Sequence, residues 1–174
     1  MVTAVSGAWP ATFVRWAGQG ASWLILGMVL VTFAVVVLRY GFNLGWIWLQ
    51  ESVTYLHAAV FMLGAAWTWQ EDGHVRVDIF YRDRSARHKA WVNLLGTVLF
   101  VIPLCLYLIA VGWDYVAASW RLLEGSRQAG GLPAVYLLKS LVLALPALVL
   151  VQAGCFLPGD LRRALGRMEA PAAS

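Results

Sequence analysis

Trp16 to Leu38 is an unbroken run of 23 residues with no charged side chain. As an α-helix it is about 34 Å long at 1.5 Å per residue, enough to cross the roughly 30 Å hydrocarbon core of a bilayer. No other feature narrows the choice of fold so strongly, because in lipid every backbone N–H and C=O must find its partner within the protein. A helix meets that demand along its own axis. The run is longer than the 7–15-residue core of a secretory signal, and no A-x-A-like site closes it, so it reads as a span retained in the protein.

Three further segments follow the same logic. The second runs from about Trp46 to Trp69 and contains Glu51 and His57. The third, Trp91 to Gly112, has 22 uncharged residues with Pro103 near its middle, where a kink is expected. The fourth runs from about Pro133 to Leu157, with Lys139 near its start and Pro158-Gly159 after it. Charged residues make up 13% of the 174, against about 25% in soluble proteins, which leaves little for a separate soluble domain.

The expected architecture is an all-α integral membrane protein, a single four-helix membrane domain over 1–174. Its spans are about 16–38, 46–69, 91–112 and 133–157, joined by a polar loop at 70–89 and followed by a short basic tail at 158–174. In WDYVAASWRLLEG (113–125), Trp113, Val116, Trp120 and Leu123 fall on one helical face. An amphipathic extension is therefore expected after the third span, either continuing the helix or lying along the surface.

Basic residues are unevenly divided between the two sides of such a protein. Arg15, then Arg76, Arg82, Arg84, Arg87 and Lys89, then Arg162, Arg163 and Arg167 fall on one side; Arg39, Arg121, Arg127 and Lys139 fall on the other. The positive-inside rule places both termini and the 70–89 loop in the cytoplasm. The net charge of +4 is thus a topology signal, and no nucleic-acid partner is expected.

The segment GAAWTWQEDGHVRVDIFY (64–81) gathers Glu71, Asp72, His74, Arg76 and Asp78 into eight residues. On a continuing helix Glu71, His74 and Asp78 would share a face, a spacing that suits a carboxylate–imidazole metal centre. Gly73 more often ends a helix, and the acidic residues 71, 72, 78 and 83 balance the basic residues 76, 82, 84, 87 and 89. A salt-bridged cytoplasmic turn accounts for the mixture without a metal. Arg39 and Glu51 lie six residues either side of Gly45, at similar depth in a helical hairpin; a hairpin-closing ion pair, or contact with a partner subunit or with the headgroups of membrane lipid, is expected there. Lys139, near the outer end of the fourth span, reads as a snorkelling side chain. His57 stands apart in depth from His74 and His88, so paired axial ligation of haem is not expected, and His57 reads as a hydrogen-bonded helix-packing residue. Cys105 and Cys155 lie in apolar runs and read as small buried hydrophobes. No cofactor, metal or catalytic residue is expected, and the chain is read as a partner subunit, not an enzyme.

The order of motifs resembles the small membrane subunit, the DctQ-type or Q subunit, of tripartite ATP-independent periplasmic (TRAP) transporters. The residues that carry the resemblance are LRYGFN (38–43), WLQES (48–52), Tyr55, and GAAWTWQEDGHVRVDIFY with its His-Val-Arg-Val-Asp run at 74–78. SWRLLEGS (119–126), GGLPAVYLLK (130–139) and VQAG (151–154) look like the branch whose relatives carry chloroaromatic or keto acids. The resemblance covers roughly residues 20–157. It implies a bacterial inner-membrane protein paired with a large polytopic subunit that binds substrate and sodium, and served by a periplasmic substrate-binding protein. On that footing Arg39, Glu51, His74, Arg76, Asp78 and Lys139 are candidate subunit-interface or structural ion-pair residues. Relatives often have a second acidic residue beside position 51, where this chain has Gln50. The alternative is a stand-alone, homo-oligomeric small transporter or channel.

Overall fold

Helix α1 (Trp9–Gly41) extends the charge-free run at both ends, because its backbone hydrogen bonds do not stop where the apolar side chains do. A computed structural model describes residues 9–74 and 84–166 of the chain. It continues with α2 (Ile47–Gln70), α3 (Ala86–Gly96), α4 (Ile102–Leu122) and α5 (Val135–Ala164), and no strand occurs among the described residues. A π-helical turn over Thr97–Val101 joins α3 to α4, so Ala86–Leu122 is one continuous helix of 37 residues. Its cause is local. Pro103 has no N–H and its ring crowds the preceding turn, and the turn widens just ahead of it, with the Ile102 N–H reaching back to the Thr97 carbonyl.

Among the described residues three helical segments are long and apolar enough to cross a membrane: Thr12–Gly41, Ala86–Leu122 and Val135–Ala164. The sequence reading expected four. Helix α2 has the length, 24 residues or about 36 Å, but Gln50, Glu51 and His57 dilute its apolar character. The extension after the third span is a direct continuation of α4, which stays helical through Trp113–Leu122. Pro158-Gly159 does not end the fourth helix. Both Pro146 and Pro158 lie inside α5, and Arg87 donates from Nε to the Ala164 carbonyl at 2.9 Å, occupying one of the acceptors that the helix end leaves open.

Helix ends elsewhere follow capping chemistry. Ser85 caps α3, its hydroxyl accepting from the His88 N–H. At the end of α2, the Gly73 N–H bonds the Thr68 carbonyl and the Asp72 N–H bonds that of Trp69, with Asp72 in the left-handed region at φ 59°. This is a Schellman ending with Asp where Gly is usual. Helix α4 ends the same way around Leu123, φ 46°, with the Glu124 N–H on the Ser119 carbonyl and the Leu123 N–H on that of Trp120.

Helix α5 is the shared neighbour, packing on α1, α2, α3 and α4, while α4 touches neither α1 nor α2 among the described residues. Val14, Ala66 and Leu148 form the buried centre of the α1–α2–α5 contact, flanked by Leu63, Trp67 and Val149. Gly18 lies directly against the Trp67 indole, so that a methyl group at position 18 would overlap it. Gly18 beside Trp67, and Val35 lining the same hollow as Gln50, show α1 and α2 antiparallel along their length. Much of the outer apolar surface, including Trp23, Phe33, Phe61 and Phe100, is exposed.

Candidate functional site: a polar clasp at one end of the helices

The first four N–H groups of any helix lack intrahelical partners. At the start of α2 no side chain caps Trp46. Instead the Trp48 N–H reaches the carbonyl of Gly130 at 3.1 Å, on the loop between α4 and α5. One turn on, Glu51 projects at the same loop. The Ser126 hydroxyl donates to its Oε1, and the Leu132 N–H donates to its Oε2 at 2.7 Å. The loop closes on itself through the Ser126 N–H and the Leu132 carbonyl, 2.9 Å apart, and through the Gln128 N–H on Ser126 Oγ, 3.1 Å. Gly131 permits this approach: a Cβ there would collide with the Ser126 side chain and stand 2.8 Å from Glu51 Oε2.

A second set of contacts ties the loop to α5. Lys139 Nζ donates to Glu124 Oε2 at 2.5 Å and lies 4.0 Å from the centre of the Tyr115 ring on α4. The Tyr136 N–H reaches the Glu124 carbonyl, 3.4 Å. Trp120 donates from its indole N–H to Ser140 Oγ at 2.8 Å and packs edge-on against Tyr136. Lys139, foremost through its hydrogen bond, holds the Glu124 carboxyl below the ordinary carboxylate range. The outcome is a clasp in which α2, α4 and α5 are fastened to one loop by a carboxylate, an ion pair and main-chain bonds.

The structure therefore redistributes the residues singled out from sequence. Glu51 gives both its oxygens to the 126–132 loop and none to Arg39, because that loop brings two donors to the mouth of α2. Arg39 stands exposed in the last turn of α1, where a cation suits the negative end of the helix. Lys139 is paired with Glu124, not merely snorkelling. His74 turns back on α2, with Nε2 3.2 Å from the Ala65 carbonyl. Helix α2 ends at Gln70, so it does not carry Glu71 and His74 on one helical face, and no trio of His, Cys, Asp or Glu suited to a metal ion occurs among the described residues. Arg76 and Asp78 lie outside the described residues. Glu124, Ser126 and Gly131 fall within the motifs SWRLLEGS and GGLPAVYLLK that carry the family resemblance, but the sequence assigns none of them a partner. The available signals were the uncapped start of α2 and the Gly130-Gly131 pair opposite it.

Residues 28–163 match the family described as tripartite ATP-independent periplasmic transporters, DctQ component. The chain belongs to this family. It is also similar to the C4-dicarboxylate TRAP transporter small permease protein DctQ of Vibrio cholerae, 28% identical over 88 residues. That similarity covers 51% of this chain and 38% of the relative. No solved structure matches the chain. As a TRAP small permease it is a multi-pass protein of the inner membrane, and the family match takes in the whole clasp, from Trp48 to Ser140.

Proposed function

We propose that this chain is the scaffolding subunit of a TRAP-type secondary transporter. It holds the large subunit that moves ions and substrate, and helps dock a periplasmic binding protein, for sodium-coupled uptake of an organic acid. It carries no catalysis of its own. The observation that supports this most directly is the family match over residues 28–163. The clasp is consistent with it, since its carboxylates and its lysine are engaged within the chain, which suits rigidity more than ion binding. On this reading α2 also crosses the membrane, lying antiparallel to α1 over its length, which gives four crossings. Both termini and the 70–89 loop then face the cytoplasm, as the basic residues favour, and the clasp faces the periplasm. Arg76, Asp78 and the exposed Arg39 remain as candidate contacts with partner chains.

The test is purification of the tagged chain from its native membranes in mild detergent, with co-purifying proteins identified by mass. A stoichiometric large TRAP permease subunit is the expected result. Recovery of the chain as a discrete homo-oligomer with no such partner would overturn the reading and favour a self-contained transporter.

A further inference from the structure

Beyond the clasp, one side chain on the outer surface of α2 is chemically out of place. His57 is exposed and lies six residues beyond Glu51, about 9 Å deeper along the helix axis, with 13 residues of α2 still to follow. A neutral imidazole carries one N–H donor and one acceptor nitrogen. The ring lies 4.7 Å from that of Phe61, which offers a tilted aromatic face and no conventional acceptor. No hydrogen bond to His57 occurs among the described residues. Thr32 on neighbouring α1 shows the contrast, because its hydroxyl is satisfied at home on the Met28 carbonyl, 2.7 Å away. An ionisable side chain within the hydrocarbon layer pairs with protein or lines a wet cavity; lipid tails give it neither.

The surroundings of His57 have the shape of a seat. Val53, one turn before it, lines an open groove of about 490 Å³ with Met28, Val29, Thr32, Phe33 and Val36 of α1. The register set by Gly18 beside Trp67 and by Val35 near Gln50 places Met28 level with His57. Gly64 on α2, seven residues beyond His57 on the same helical face, opens onto space where a Cβ would meet nothing within 4 Å. Small residues and an apolar groove allow two helices to approach closely, and a polar side chain across such a contact adds a hydrogen bond.

We propose that the α1–α2 face centred on His57 seats a transmembrane helix of the large transporter subunit, which presents a hydrogen-bonding or acidic side chain to the imidazole. This rests on the scaffolding reading above and adds which face is used and what the partner must carry. The alternatives, lipid and a second copy of this chain, are outcomes of the test. Lipid leaves the imidazole unpaired, and a second copy would have to place two His57 side chains about one symmetry axis.

The experiment uses the intact complex in native membranes, in a Cys105→Ser/Cys155→Ser background. A benzophenone maleimide is attached at Val29→Cys or Phe61→Cys on the groove face, or at Val111→Cys on the exposed side of α4 as the control. Photocrosslinks to the large subunit, identified by mass, are expected from positions 29 and 61 and not from 111. His57→Leu lowers their yield by on the order of threefold to tenfold, the range of one interhelical hydrogen bond; His57→Gln, which keeps a donor and an acceptor, restores most of it. Co-purification of the large subunit with crosslinks only from position 111 overturns the assignment of the face and leaves the scaffolding reading standing. Crosslinks from 29 and 61 only to a second copy, or only to lipid, also overturn it. If no large subunit co-purifies, the scaffolding reading falls and this inference falls with it.

Discussion

The contact of Gly18 with Trp67 predicts opposite signs for the same substitution made twice on one helix. In Gly18→Ala the new methyl overlaps Cβ, Cγ and Cδ2 of Trp67. The Cβ moves only with the α2 backbone, so relief requires α1 and α2 to separate. Overpacking of this kind costs about 1–3 kcal/mol, and with a backbone-anchored obstacle the upper end, about 3 kcal/mol, applies. Replacing Gly by Ala within a helix returns about 1 kcal/mol, leaving a net loss of about 2 kcal/mol. At roughly 2–4 °C per kcal/mol for a chain of this size, the melting temperature falls by about 4–8 °C. Gly20→Ala, two residues along, adds a methyl that meets nothing within 4 Å and gains the propensity term alone, about 1 kcal/mol. The assay is thermal unfolding of both variants and the parent in one detergent, followed by intrinsic tryptophan fluorescence and size-exclusion. A Gly18→Ala protein as stable as Gly20→Ala would refute the close approach of α1 and α2 at this point.

Three other outcomes follow from the clasp and its edges. Glu51→Leu removes the acceptor shared by Ser126 and Leu132, so amide exchange across 126–132 accelerates while that of α5 stays unchanged; hydrogen-exchange mass spectrometry reads both. Glu124 has its pKa depressed by Lys139, so its contribution to stability is fully present above the ordinary carboxyl value and is lost as pH falls through the lower folded one. Melting temperature measured from pH 7 down to the acid limit should therefore drop in the parent and drop less in Lys139→Met. Leu123 holds a left-handed conformation at φ 46° with its side chain exposed, so Leu123→Gly removes about 1 kcal/mol of backbone strain and raises the melting temperature.

The helical class and the placement of the longest helices were legible in the sequence, because a charge-free run reports the solvent around a helix directly. Runs report apolarity, though, and not hydrogen bonding. Trp113–Leu122 and Pro158–Ala164 stay helical beyond the apolar part, where the Arg87 side chain and the Schellman ending at Leu123 finish the backbone pairing. Helix α2 shows the converse, a full-length helix whose polar residues blur its apolar signal. The clasp was less legible. Glu51 could be singled out as a charge near a membrane boundary, but its partners Ser126 and Leu132 are 75 and 81 residues away. No local periodicity encodes such a pairing. The nearest cation in the hairpin, Arg39, is the natural choice for Glu51, but equal depth does not fix the direction in which a side chain points, and Glu51 accepts from Ser126 and Leu132 instead.

The 37-residue helix from Ala86 to Leu122 sets a length that the bilayer cannot absorb. It measures about 55 Å, and even at a 40° tilt it projects about 42 Å onto the membrane normal, against a hydrocarbon layer of about 30 Å. About 12 Å must stand clear, shared between Ala86–Ala90 before the uncharged part and a longer piece after it, the nine residues from Asp114 to Leu122. Those residues act as a post with the clasped loop as its head, cross-braced to α2 and α5. A loop mounted in this way keeps a set height above the lipid, and on the scaffolding reading proposed above that height is the level at which a periplasmic partner would be met.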